Sequence, residues 1–165
     1  MTASGPRVGI LMGSESDLPT MKAAAEALTA LGVSNELRVL SAHRTPEEAV
    51  GYAAGAEARG TKVLIAGAGL AAHLAGALVA HTTLPVIGVP LAGGTLGGLD
   101  ALLATVQMPS GLPVATVAIG GAQNAGLLAA AILALSDAEL AGKLKARRKE
   151  MRDKVLAADG RVRAG

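Results

Sequence analysis

At 165 residues the chain has the length of one domain and enough residues to bury a core unaided; with no cysteine it has no disulfide, thiolate nucleophile or Cys-ligated zinc. A net charge of +2 and a single aromatic, Tyr52, leave little for phosphate neutralisation or base stacking, which argues against a nucleic-acid partner. Apolar stretches are cut by Gly, Pro and His well short of the ~20 residues that span a bilayer, and Met1–Arg7 has no apolar signal core, so the expectation is a cytoplasmic protein without a membrane role.

Val8–Met12 is a short apolar run closed by Gly13. Asp17–Leu31 reads as a helix, with Leu18, Met21, Ala25, Leu28 and Leu31 on one face and Gly32 as its stop. Glu36–Leu40 is the next strand. Thr45-Pro46-Glu47-Glu48 is a helix start in which Thr45 suits the N-cap, Pro46 the first turn and Glu48 a capping box; the helix runs to about Arg59. Lys62–Ala66 is a buried strand and Ala71–Ala80 a helix. Val86–Val89 is a strand closed by Pro90, Leu99–Val106 a short helix, Val114–Ile119 the last strand and Gln123–Leu135 an Ala/Leu helix. Ser136-Asp137-Ala138-Glu139 is a second capping box, opening a charged helix with Leu140, Leu144, Met151 and Val155 along one side.

Five apolar strands alternating with helices predict a parallel sheet covered on both faces, an α/β fold. Residues 1–7 read as a flexible N-terminus, 8–156 as one catalytic α/β domain that includes the C-terminal helix, and 157–165 as a tail. The chain is 51% apolar with 22 Gly, and its small side chains each bury little area, so burial between subunits is expected. The helices Ala71–Ala80 and Gln123–Leu135 are apolar nearly all round and need cover on every side.

In parallel α/β sheets ligands bind beyond the carboxyl ends of the strands, which directs attention to three loops. Gly13-Ser14-Glu15-Ser16-Asp17 opens a helix: its free N–H groups and two hydroxyls suit an anion and Asp17 suits ribose hydroxyls, while plain capping by Ser16 or Asp17 is the alternative. Ser41-Ala42-His43-Arg44-Thr45-Pro46 places an acid–base group, His43, beside a planar anion fork, Arg44. Gly67-Ala68-Gly69-Leu70-Ala71-Ala72 fits a dinucleotide fingerprint but lacks the acid about 20 positions on that would hold a ribose. It reads instead as a tight turn or a backbone-lined pocket with His73 near its rim; on residues alone His73 is structural or a subunit contact. Gly93-Gly94-Thr95-Leu96-Gly97-Gly98 has no Lys to make a phosphate loop and reads as a flap or a turn. His43, His73 and His81 lie on separate elements without acids at ligand spacing, so no metal site is expected.

Taken in order, Met12–Asp17 with Met21, Ser41–Pro46, and Ala66–Gly69 with Ala71-Ala72-His73-Leu74 resemble the N5-carboxyaminoimidazole ribonucleotide (N5-CAIR) mutases, the PurE family. Pro85–Pro90, Val106–Pro109 and Asn124–Ala129 extend the resemblance over Val8–Leu135. It implies a three-layer α/β/α sandwich of flavodoxin type, a homo-octamer with sites between subunits, and neither metal nor organic cofactor. It implies His43 as general acid–base, with Ser14, Asp17 and Arg44 contacting substrate and Gly13, Ser16, Ser41, Ala42, Ala68, Gly69, His73 and Leu74 lining its pocket. Leu70, Ala75, Ala101 and Ala104 depart from the family's usual residues, and Gly120–Gln123 is shorter than in many members. The implied reaction moves a carboxylate from N5 of aminoimidazole ribonucleotide (AIR) to C4, in purine synthesis. A second class in the family carboxylates AIR directly with carbon dioxide and tends to carry Lys in place of Arg44; a nucleotide-binding module without chemistry is the non-enzymatic alternative.

Overall fold

The computed structural model describes residues 5–165. Five strands, β1 (Val8–Met12), β2 (Asn35–Val39), β3 (Val63–Gly69), β4 (Val86–Leu91) and β5 (Ala115–Thr116), form one parallel sheet in the order β2-β1-β3-β4-β5. Between and after them lie α1 (Leu18–Ala30), α2 (Pro46–Ala54), α3 (Leu74–Val79), α4 (Leu99–Val106), α5 (Ala122–Leu133) and α6 (Ala138–Ala164). This is the three-layer, flavodoxin-like order: the chain moves outward from β1 to β2, then returns to β3 on the other side of β1 and continues to β5. The reversal between β1 and β3 is the topological switch point.

Side-chain alternation along the central strands divides the interior into two cores. Val8, Ile10 and Met12 of β1, Val63 and Ile65 of β3, and Ile87, Val89 and Leu91 of β4 face α1 and α5. Leu11, Leu64, Ala66 and Val86 face α2 and α3. Helices α1 and α5 touch closely because Gly126 has no side chain; a Cβ there would sit 2.6 Å from the Ala24 carbonyl oxygen. On the other face Gly9 leaves room for the Tyr52 hydroxyl, which donates to Glu36 Oε1 at 2.7 Å, while the Arg59 guanidinium stacks 4.3 Å above the ring. Burial, and then the Glu36 carboxylate, push the Tyr52 phenol well above its ordinary range, so it stays a neutral donor.

Several boundaries differ from the sequence reading. The first helix starts at Leu18, after a tight turn over Glu15–Asp17. The expected helix to Arg59 breaks at Gly55, continues as a turn over Glu57–Arg59 and ends at Gly60, whose φ of 90° is left-handed. Strand β3 runs on to Gly69 and β4 through Pro90 to Leu91, whereas β5 pairs over two residues only. Thr45 forms no side-chain cap; its hydroxyl turns back and accepts from Ser41 N at 2.8 Å. The last helix is capped by Asp137, not Ser136, through a bond from Leu140 N at 3.0 Å.

That helix continues to Ala164, so residues 157–164 extend it and are no separate tail. Of the apolar edge assigned to it, Leu140 is buried and Leu144 packs against the core, while Met151 and Val155 are exposed. Residues 1–4 of the N-terminal segment lie outside the described residues. Pro6 and Arg7 are tied down: Thr61 Oγ1 donates to the Pro6 carbonyl, Lys62 N to the Arg7 carbonyl, and Arg7 pairs with Asp137 at 3.0 Å. None of the described helices is long and apolar enough to cross a membrane.

Candidate active site

A cavity of about 460 Å³ opens at the switch point, walled by the chain that follows β1, β2, β3 and β4. Its volume is in the range of small-molecule sites. After β1 come Gly13, Ser14, Ser16 and Asp17; after β2, Ser41, Ala42, His43 and Arg44; at the end of β3 and beyond, Ala68, Gly69, Leu70, Ala71 and Leu74. Leu91, Ala92, Gly93 and Gly94 close the fourth side.

In the first loop Ser14 is extended and its Oγ accepts from Ser16 N and Ser16 Oγ, while Asp17 Oδ2 accepts from Ser14 N at 3.1 Å. The loop is therefore capped reciprocally, by Ser14 instead of Ser16, and the same hydroxyls and carboxylate border the cavity. In the second loop the buried Ser41 is the anchor. Its Oγ accepts from His43 N at 3.3 Å and Arg44 N at 3.2 Å, and its carbonyl accepts from Thr45 N at 3.0 Å. These bonds fix the backbone that carries His43 and Arg44. The Arg44 guanidinium reaches across to donate to the Gly13 carbonyl, which ties the loops after β1 and β2 together.

The third loop differs from the expected helix start at Ala71. Leu70 adopts a left-handed φ of 53°, followed by tight turns from Ala72 N to the Leu70 carbonyl and from His73 N to the Ala71 carbonyl. Helix α3 begins only at Leu74. Leu70 is exposed at the cavity mouth, and its side chain fills the space where Gly94 would carry a Cβ. Gly94, Gly97 and Gly98 have positive φ, so the Gly93–Gly98 run makes its turn with residues that adopt this backbone without strain.

Eleven of the twelve sequence-derived site residues line this cavity, Leu74 among them. His73 does not; it stands behind His43, with His73 Nδ1 2.8 Å from His43 Nε2. Sequence reading missed Leu70, Ala71, Leu91, Ala92, Gly93 and Gly94 as lining. Their contribution is shape and backbone, which no side-chain chemistry announces; the glycine run was the one available signal. Of the positions that depart from the family pattern, Leu70 alone meets the cavity: Ala75 and Ala101 are buried in packing and Ala104 lies on the surface of α4. Among the described residues no three His, Asp or Glu side chains are grouped to hold a metal ion.

A doubly wound parallel sheet with an imidazole, a guanidinium and several hydroxyls around a cavity at its switch point places this protein among the α/β proteins that carry a small-molecule cavity beyond the carboxyl ends of their strands. The AIR carboxylase family profile matches residues 7–154, and the chain belongs to that family. It is 56% identical over 151 residues to the N5-carboxyaminoimidazole ribonucleotide mutase of Thermotoga maritima, spanning 92% of this chain and 88% of that one. With the enzyme of the same name from Mycobacterium tuberculosis H37Rv it shares 54% over 164 residues, 98% of this chain and 94% of the relative. The crystal structure of Treponema denticola PurE superposes with a TM-score of 0.86 at 32% identity, covering 93% of this chain and 96% of that one.

Proposed function

We propose that this protein is an N5-CAIR mutase, an isomerase that moves the carboxylate of N5-carboxyaminoimidazole ribonucleotide from N5 to C4 in purine synthesis. The observation that carries the reading is the meeting of His43, Arg44, Ser14 and Asp17 around one cavity at the switch point. The mutase name of relatives 54–56% identical over nearly the whole chain supports the reaction class.

The chemistry follows from the substrate. Breaking the N5–carboxylate bond releases carbon dioxide and leaves an amine that needs a proton. Ring C4 is enamine-like and attacks the carbon dioxide, after which the C4 proton must leave. One proton is thus given at N5 and one taken from C4, a task that a single imidazole performs in both directions near neutral pH. His43 takes this role, as the one imidazole on the cavity wall. Arg44 offers the fork for the phosphate, and Asp17 accepts from the ribose hydroxyls. Holding carbon dioxide and AIR in one cavity makes their recombination intramolecular in effect. A phosphorylated ribonucleotide stays in the compartment that makes it, which makes the cytoplasm the expected location.

The enzyme is proposed to act as a closed homo-oligomer of eight copies, with neither metal nor organic cofactor. Support for assembly comes from α4, whose Leu99, Leu103 and Val106 share a face and are each about half exposed (50%, 48% and 47%). An ultraviolet assay with the carbamate substrate, and separately with AIR plus bicarbonate, tests the reaction. Conversion of the carbamate is expected; activity confined to AIR plus bicarbonate identifies a direct carboxylase instead. His43→Asn is expected to keep ligand binding and to lose ~10²–10⁴-fold in turnover. Turnover within tenfold of wild type would remove His43 from the mechanism.

A further inference from the structure

His73 is left without a task by the reaction as described. It lies outside the cavity wall and touches the site through one contact, His73 Nδ1 to His43 Nε2 at 2.8 Å. The two rings stand nearly perpendicular, at 81°, with centroids 4.9 Å apart. At that distance one of the two nitrogens carries the proton and the other accepts it. No other hydrogen bond to the His43 ring occurs among the described residues, so Nδ1 is the nitrogen that remains for a substrate.

We propose that His73 is a positioning residue for His43, accepting through Nδ1 from His43 Nε2–H and so fixing the tautomer with which His43 works. The assignment rests on His43 being the acid–base group of the proposed mutase. Its direction follows from what His43 must do. As a neutral base its Nδ1 is bare, so its proton sits on Nε2. As an acid it is an imidazolium, and Nε2 again carries a proton. In both working states Nε2 donates, and a partner that only donates fits neither. A His73 with its own proton on Nε2 accepts in both, and part of the imidazolium charge is then shared across the N···N bond.

The backbone supports such a role from both sides. His43 is fixed by the bonds that Ser41 accepts from the amides of His43 and Arg44. His73 is held at the start of α3, where Ala77 N donates to its carbonyl at 2.9 Å. The His73 side chain makes no capping bond to α3 and is exposed, so its replacement removes the contact to His43 with little else.

His73→Leu and His73→Asn separate positioning from simple bulk, because an Asn carbonyl can accept where Nδ1 does. His73→Leu is expected to lower kcat ~10–100-fold with KM changed less than about threefold, the usual size of effect for a partner that orients a working histidine. His73→Asn should recover to within about threefold of wild-type kcat. Neutron diffraction from deuterium-exchanged wild-type crystals should show a deuteron on His43 Nε2 and none on His73 Nδ1. The proposal is overturned if His73→Leu keeps kcat within twofold, if His73→Asn is as impaired as His73→Leu, or if the shared deuteron sits on His73 Nδ1. The neutron result needs no turnover, so a wild type that fails to convert the carbamate removes the mutase reading and leaves the hydrogen-bond assignment still measurable.

Discussion

Leu70 and Arg44 show how single side chains at this site trade local strain against function. A left-handed Leu sacrifices ~1–2 kcal/mol relative to ordinary backbone, and Leu70 regains little of it because it is more than half exposed (56%). Leu70→Gly relieves that strain and adds ~0.5–1 kcal/mol of chain entropy loss. A net gain of about 0.5–1 kcal/mol in denaturant unfolding is therefore expected; a loss would mean that the contact of Leu70 with Gly94 matters more than the strain. Arg44 is already engaged with the Gly13 carbonyl, and in the proposed mutase its remaining donors serve the phosphate. Arg44→Lys keeps the charge but not the fork, and KM is expected to rise about tenfold, with kcat changed less. An unchanged KM would place the phosphate elsewhere. The polar residues of this site were legible because their chemistry is particular to them. Leu70, Ala71 and Leu91–Gly94 were not, because they contribute surface and backbone direction.

Local signals placed nearly every strand and helix but mistook what several boundary side chains do. Thr45 has a fitting capping sequence, yet its hydroxyl satisfies Ser41 N and stiffens the turn that carries His43 and Arg44 instead. Ser14 caps the first turn unannounced, since its partner Asp17 also reads as a helix start. Strand β5, at the sheet edge, pairs with β4 over Ala115–Thr116 only. The cap of α6 offers a pH test. The Leu140 amide, and then the Arg7 guanidinium, hold the Asp137 carboxyl below the usual carboxylate range. Its folded pKa is depressed, so the stability it contributes is present above the unfolded value and is lost as pH falls through the folded one. Asp137→Asn keeps a capping oxygen without the charge. Wild type should be the more stable near neutrality, and the gap in melting temperature should close on acidification through the carboxylate range. A gap that persists in acid would show that the charge contributes nothing.

Composition argued for assembly, and the fold relocates the surface that would mediate it. The helices that read as apolar all round, α3 and α5, are largely absorbed by the cores: Leu74, Ala75, Leu78 and Val79 of α3 and Ala125, Ala129, Ala130 and Leu133 of α5 are buried. One exposed apolar stripe lies on α4, with Leu99 and Leu103 a turn apart. Sequence periodicity could mark α4 as amphipathic, but which stripe faced the sheet was settled only by the chain path. Leu103→Asp should leave the protomer folded, because Leu103 is half exposed, and should disperse the proposed oligomer. Light scattering reads the mass and circular dichroism the fold. A variant with undiminished mass would remove α4 from the interface.

The cavity wall is built mostly from Gly, Ala and Ser, with His43 and Arg44 the longest polar side chains on it. Gly and Ala have no rotamers to lose, and Ser has one short torsion, so occupancy freezes little of the protein. Ordering a rotamer-rich side chain at an interface costs ~0.5–1.5 kcal/mol, and the longest such side chain on this wall, Arg44, is already tethered to Gly13. The site thus behaves thermally like a mould, and a nucleotide entering it surrenders its own freedom much more than the protein's.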